Sequence, residues 1–302
     1  EEIKDFMATR NEVLIRQLHS RGWYLGLPAP RLSRPSGEVA RGADCHVLEG
    51  EGTVYVTLDG SDPRGDDGQP SDGARAFGIP LIERHSLLVS PSPARALVPQ
   101  DASLGRDWMA LAFDDRTWHA GQTGVGYEAK AGYEHLIGID LRAWMHEKAT
   151  TAYIRVPFQW KPTEGLPVFD ELRLRMRFDD GFVAYLNGRQ VVSVHAPSNL
   201  DWRSSATADH ADDEAVQFVE FPFDSRPGVL RNGDNLLAIH GMDGDASSDF
   251  IITPELVGIR YRGAEPIKLE ASGEGVTVTA RCSRDGKWSP LTRSIFTFAE
   301  AK

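Results

Sequence analysis

Asp243, Asp245, Ser247 and Asp249 alternate along one stretch of the chain. That is the spacing at which carboxylate and hydroxyl oxygens wrap a calcium ion in an EF-hand-like loop. Ser248 stands where the sharp-turn glycine belongs, and Glu255 falls one residue past the bidentate position. These departures favour a solvated loop that caps strands, with a structural calcium as the rival reading. Asp62, Asp66, Asp67 and Asp72 pose the same choice with weaker spacing. Asp179 and Asp180 offer two carboxylates, yet consecutive strand residues point to opposite faces, which suits shared acid/base work poorly. A turn whose Asp side chains bond nearby backbone amides accounts for both. His240, Asp243 and Ser248 have the residue types of a hydrolase triad. No Gly-x-Ser-x-Gly elbow, phosphate-cradling Gly-x-x-x-x-Gly-Lys loop or His-x-x-x-His pair accompanies them. The aromatics Trp108, Trp118, Tyr127, Tyr133, Trp144, Trp160 and Trp202 are a different resource, because sugar C–H faces stack on such rings. Trp108 and Trp118 flank Asp114-Asp115 and read as core. Tyr133, Trp144 and Trp202 lie in polar stretches and are the candidate ligand contacts, against the general alternative of core or rim packing.

The bulk properties narrow the field. The 302 residues carry a net charge of -11, so attraction to phosphate backbones or anionic membrane surfaces is unfavourable. Neither nucleic acid binding nor membrane insertion is expected, since no apolar run is long enough to span a bilayer. The length favours two domains. Two cysteines, Cys45 and Cys282, exclude a thiolate metal cluster and leave open one disulfide or two buried thiols.

The elements that must position these residues read as β-strands. Apolar side chains from Ile3 to Leu18 recur at helical spacing, so an N-terminal helix is expected within residues 1–24. No signal peptide precedes it, and the chain reads as a mature fragment or trimmed piece of a longer one. Beyond Pro30, short alternating runs are separated by Gly, Pro, Asp and Asn. Thr53 to Thr57 forms a strand ending in the turn Asp59-Gly60-Ser61-Asp62-Pro63, and its partners appear only at Ile267 to Leu269 and Val276 to Cys282. An insertion at an exposed loop explains the gap. Within it, Leu172, Leu174, Met176 and Phe178 alternate with three arginines. Asp179-Asp180-Gly181 turns the chain, Phe182 to Leu186 returns, and Asn187-Gly188 suits a type I′ hairpin into Gln190 to Val194. These three segments are expected to be consecutive antiparallel strands.

The run from Gly52 to Pro63, with Val278 to Cys282 and Gly286-Lys287-Trp288-Ser289, resembles the chitobiase/hexosaminidase C-terminal domain, an immunoglobulin-like accessory module of secreted bacterial proteins. The middle region resembles galactose-binding-like jelly-rolls through Phe113-Asp114-Asp115, Gly124-Val125-Gly126-Tyr127, the run Asp179 to Gly188, and Ser247-Ser248-Asp249-Phe250. Such jelly-rolls occur C-terminal to CotH kinase-like or lamin-tail domains, and the segment with Arg10 and Val13 to Tyr24 is similar to one that follows a CotH-like domain. The resemblances imply an all-β chain: a jelly-roll sandwich over residues 97–261, inserted into a smaller immunoglobulin/fibronectin-III-like sandwich of residues 25–96 and 262–302. The expected function is non-catalytic recognition of a polysaccharide or glycan, in a secreted or cell-surface protein with an upstream domain on the same polypeptide. A structural spacer, or a hydrolase with scattered residues, is the alternative.

Overall fold

The computed structural model describes residues 26–162, 169–225, 228–245, 247–271 and 273–298, so the helix expected within residues 1–24 lies outside the described residues. Strands dominate, and the described helices are the short turns Asp107–Met109, Glu134–Leu136, Arg142–Met145 and Asp212–Ala215. No described helix is long and apolar enough to cross a membrane. The chain is all-β. It divides into two compact units, one built from the described residues up to Ile82 and from Tyr261 onward, the other from Glu83 to Arg260.

In the first unit, Thr53–Thr57 pairs antiparallel with Gly275–Arg284, placing Tyr55 opposite Arg281 and Val56 opposite Ala280. Gly275–Arg284 also pairs with Thr292–Phe298, and Arg75–Phe77 closes the other edge beside Thr53–Thr57. Two small ladders complete this β-sandwich, Arg31–Leu32 with Val47–Glu49 and Ala43–Cys45 with Ile267–Leu269. Period-two alternation sends Val54, Val56, Val276, Val278, Ala280 and Cys282 inward, where they meet Leu269 and Phe296. Cys45 and Cys282 are both buried free thiols of this core. The acidic turn is locally engaged. Asp59 Oδ1 accepts from Ser61 N at 2.9 Å, Asp62 Oδ1 accepts from Arg64 N at 2.9 Å, and Asp67 Oδ1 accepts from Gln69 N at 2.9 Å. Asp62 also takes two bonds of 2.7 Å from Arg281, which fastens the turn to the C-terminal strand.

The second unit is a sandwich of two mainly antiparallel sheets. One runs Ile139–Asp140, Val125–Glu128, Asp249–Arg262, Glu171–Asp179, Val219–Asp224, with Leu81–Leu88 also paired to Asp249–Arg262. The other runs Arg189–Val194, Gly181–Leu186, Gly233–Met242, Thr151–Trp160, Pro93–Leu97, His119–Gln122. Leu172, Leu174, Met176 and Phe178 from one sheet meet Ile154, Val156, Phe182 and Ile239 from the other in a single core. Two expectations need correction. The unit starts at Glu83 rather than residue 97, because Pro93–Leu97 pairs with Thr151–Trp160 and buries Ala94 and Ala96 in this core. The expected three-strand run is also broken at Asp179-Asp180-Gly181. Glu171–Asp179 and Gly181–Leu186 lie in opposite sheets, so the segment is an arch across the sandwich. Both edges of Gly181–Leu186 are taken, by Gly233–Met242 and Arg189–Val194, which leaves none for Glu171–Asp179. The hairpin after it forms as expected, with Asn187 at φ 53° and Gly188 at φ 83°.

Candidate functional site

Trp144 and Trp202 come together along one hollow of the second unit. Trp144 rides on the helical turn Arg142–Met145. Asp140 Oδ1 accepts from the Arg142 amide at 2.8 Å to start the turn, and Met145 anchors it in the core, 1% exposed. The Trp144 ring is left 43% exposed, with the His119 ring centroid 4.0 Å from its own. Trp202 sits in the loop that follows Arg189–Val194. Asp201 Oδ1 accepts from Arg203 N at 2.7 Å, Ser204 O accepts from Thr151 Oγ1 at 2.7 Å, and Ala206 N donates to Asp243 O at 3.0 Å. The loop is therefore held at three points around the tryptophan. Trp202 is half-buried, and the Arg203 guanidinium lies 4.3 Å from its ring centroid, a cation–π arrangement that covers one face.

A hollow of about 380 Å³ is lined by both tryptophans, with His119, Gln100, Lys148 and Pro99. A second, of about 590 Å³, shares Trp202, Lys148, Pro99 and Ala149 with it and adds Tyr127, Arg203, Asp243 and Asp245. The shared lining makes them adjoining halves of one groove, with aromatic rings at one end and charged groups at the other. Lys148 Nζ donates to Ala143 O at 2.7 Å, which holds it over the helical turn. At the charged end, Tyr127 donates to Asp243 Oδ2 at 2.8 Å. Burial pushes the Asp243 carboxyl up to about 7, against the lowering effect of the Tyr127 bond. Asp245 Oδ1 accepts from Ser205 Oγ at 3.2 Å.

Tyr133 is not part of this groove. Expected at the surface, it is 2% exposed, and its hydroxyl donates to Asp179 Oδ2 at 3.3 Å. It packs with Ala215 and Ile251 on the outer side of its sheet, where the Glu134–Leu136 segment and the Asp212–Ala215 turn cover what sequence shows only as a polar stretch. Asp249 belongs to that neighbourhood too, accepting from Ser248 Oγ at 3.2 Å and a hydrogen bond from the Asp179 carboxyl. Burial, then the Asp180 carboxyl beside it, pushes Asp179 up to about 10. Asp180 bonds backbone amides, but of distant segments rather than of its own turn: Oδ1 accepts from His210 N at 2.7 Å and Oδ2 from Gly244 N at 2.9 Å.

Among the described residues no group of three or more His, Cys, Asp or Glu side chains is arranged to hold a metal ion. Asp243 bonds Tyr127 and the Gly244 amide, Asp249 bonds Ser248 and the Asp179 carboxyl, and the Ser247 side chain is bonded to both acids. His240, Asp243 and Ser248 are separate among the described hydrogen bonds. His240 Nε2 lies 3.3 Å from Thr151 Oγ1, while the other two bond Tyr127 and Asp249.

No protein-family profile matches this chain, and no curated protein matches it either. Solved structures with some likeness include β-glucuronidase 2 of Bacteroides uniformis, at 13% identity and a TM-score of 0.36 over 70% of this chain and 26% of that one. A β-glucuronidase of an uncultured Clostridium sp. gives 9% identity and a TM-score of 0.35 over 74% of this chain and 41% of that one. A glycosyl hydrolase family 2 member from Bacteroides cellulosilyticus gives 9% and 0.32 over 71% and 36%. The chain spans less than half the length of each of these structures.

Proposed function

We propose that the chain is a non-catalytic carbohydrate-binding module of a secreted or cell-surface protein, working beside an upstream domain of the same polypeptide. The groove between Trp144 and Trp202 is its ligand site. The supporting observation is convergence: two tryptophans from a helical turn and a distant loop line one hollow, and the ring of Trp144 is open to solvent. A pyranose C–H face would lie on these rings, with Gln100, Lys148, Arg203 and the Asp243–Asp245 end supplying bonds to its hydroxyls. The resemblance of the middle region to galactose-binding-like jelly-rolls points the same way.

The test is a polysaccharide pull-down and glycan array with the full chain, its Trp144→Ala and its Trp202→Ala variants. Retention by the parent and a loss of about tenfold or more in each variant is expected, in line with aromatic anchors at other interfaces. Silence of the parent against a broad panel would leave a spacer role in place of recognition. Turnover of chromogenic glycosides or esters would replace the module with an enzyme.

A further inference from the structure

The outer face of the sheet that carries Thr151–Trp160, Gly181–Leu186 and Gly233–Met242 holds a second cavity. Tyr153 lies directly opposite His240 across the ladder, His240 opposite Val183, and Tyr185 opposite Ala238, so Tyr153, Tyr185 and His240 share that face. The helical turn Asp107–Met109 covers part of it. Trp108 stacks flat on Tyr153 with centroids 4.3 Å apart and meets Tyr185 edge-on at 6.3 Å. Buried Arg155 pins this cover by donating to Ala110 O at 2.9 Å and to Asp115 Oδ2 at 2.7 Å. A gap of about 460 Å³ remains, within the range of small-molecule sites, and Trp202 lines it as it lines the groove.

Three observations mark the gap as a site. Tyr153 and Tyr185 are each only 5% exposed, and both line the cavity. Gln190 and Asn199 add amide donors and acceptors to the lining. The polar groups on the sheet are also uncharged: burial drives His240 down to about 4 and Tyr153 up to about 12, so both stay neutral near pH 7. The charged lining is Asp101 and Asp201 against Arg106, a balance that disfavours an anion.

We propose that this cavity is a second carbohydrate subsite, which takes one neutral pyranose unit among Tyr153, Tyr185 and Trp202 and bonds its hydroxyls through the two phenols, Gln190 and Asn199. The inference shares with the groove the class of ligand and one lining residue, Trp202. Saturation-transfer NMR on the full chain tests it with methyl glucoside, methyl galactoside, methyl mannoside, N-acetylglucosamine, cellobiose and maltose, and with glucuronate and galacturonate as the anionic arm. At least one neutral sugar is expected to bind, and the binding that persists when the groove is disabled by Trp144→Ala is expected to be at least fivefold weaker once Tyr153→Phe/Tyr185→Phe is added. Gln190→Ala serves as a second variant with the same expected direction should the double variant fold poorly. The proposal is overturned by absence of binding from every neutral sugar, by stronger binding of the uronates, or by binding in Trp144→Ala that adding the tyrosine or Gln190 substitutions leaves unchanged. Failure of the groove reading shows instead as polysaccharide binding that Trp144→Ala does not alter.

Discussion

Asp179 is a buried acid whose neighbours are other acids, and its chemistry is that of a proton held in place. In the fold it keeps its proton up to about 10, while the unfolded chain releases it near 3.8. Asp243 does the same up to about 7. A raised folded-state value means that the stabilising proton is fully present below the unfolded value and is lost as pH rises through the folded one. Stability of this unit should therefore decline from pH 6.5 to 9, with each such group contributing at most about 1.4 kcal/mol per pH unit. His240 works in the opposite sense, but only below about 6.5, where its unfolded form begins to protonate. Asp179→Asn keeps a donor for Asp249 and an acceptor for Tyr133 while removing the titration. It should raise Tm at pH 8 and flatten the decline; thermal melts at half-unit pH steps check this, and an unchanged slope would refute it.

At the scale of elements, two glycines of the middle region obey different constraints. Gly188 sits at φ 83° in the hairpin turn, and a Cβ there would meet nothing nearer than Met109 O at 3.9 Å. Gly188→Ala thus costs only the left-handed backbone of a side-chain residue, about 1 kcal/mol, measurable as a shifted urea midpoint with unchanged slope. Gly126 has no such freedom to lose, but a Cβ there would stand 1.9 Å from Phe250 O on the paired strand. Gly126→Ala should push Val125–Glu128 off Asp249–Arg262 and cost at least about 3 kcal/mol, seen as a markedly lower midpoint. The hairpin was legible in Asn187-Gly188, whose types are demanded by local backbone geometry. The arch at Asp179-Asp180-Gly181 was not, since a turn within a sheet and a crossing between sheets use the same residues. A trace of it existed: Val183 and Tyr185 are as apolar as Phe182, Ala184 and Leu186, a pattern for a strand covered on both faces.

At the scale of the whole molecule, each unit has an apolar core of its own, one around Val278 and Phe296 and one around Leu174 and Ile239. Calorimetry should resolve two transitions. Phe296→Ala, at a fully buried position, should lower one of them by about 3–5 kcal/mol and leave the other in place; a single shared shift would contradict the division. By itself the sequence determined the all-β class, the pairing of Thr53–Thr57 with the C-terminal strands, the Asn187-Gly188 hairpin and the buried alternation of Leu172 to Phe178. Each of these is written in periodicity or turn chemistry, which act over a few residues. Tertiary structure decided which polar stretches stay open. It buried Tyr133, left Trp144 exposed and opened a cavity over Tyr153 and Tyr185. Those outcomes depend on which distant loop covers which sheet face, and no local pattern in the chain encodes that choice.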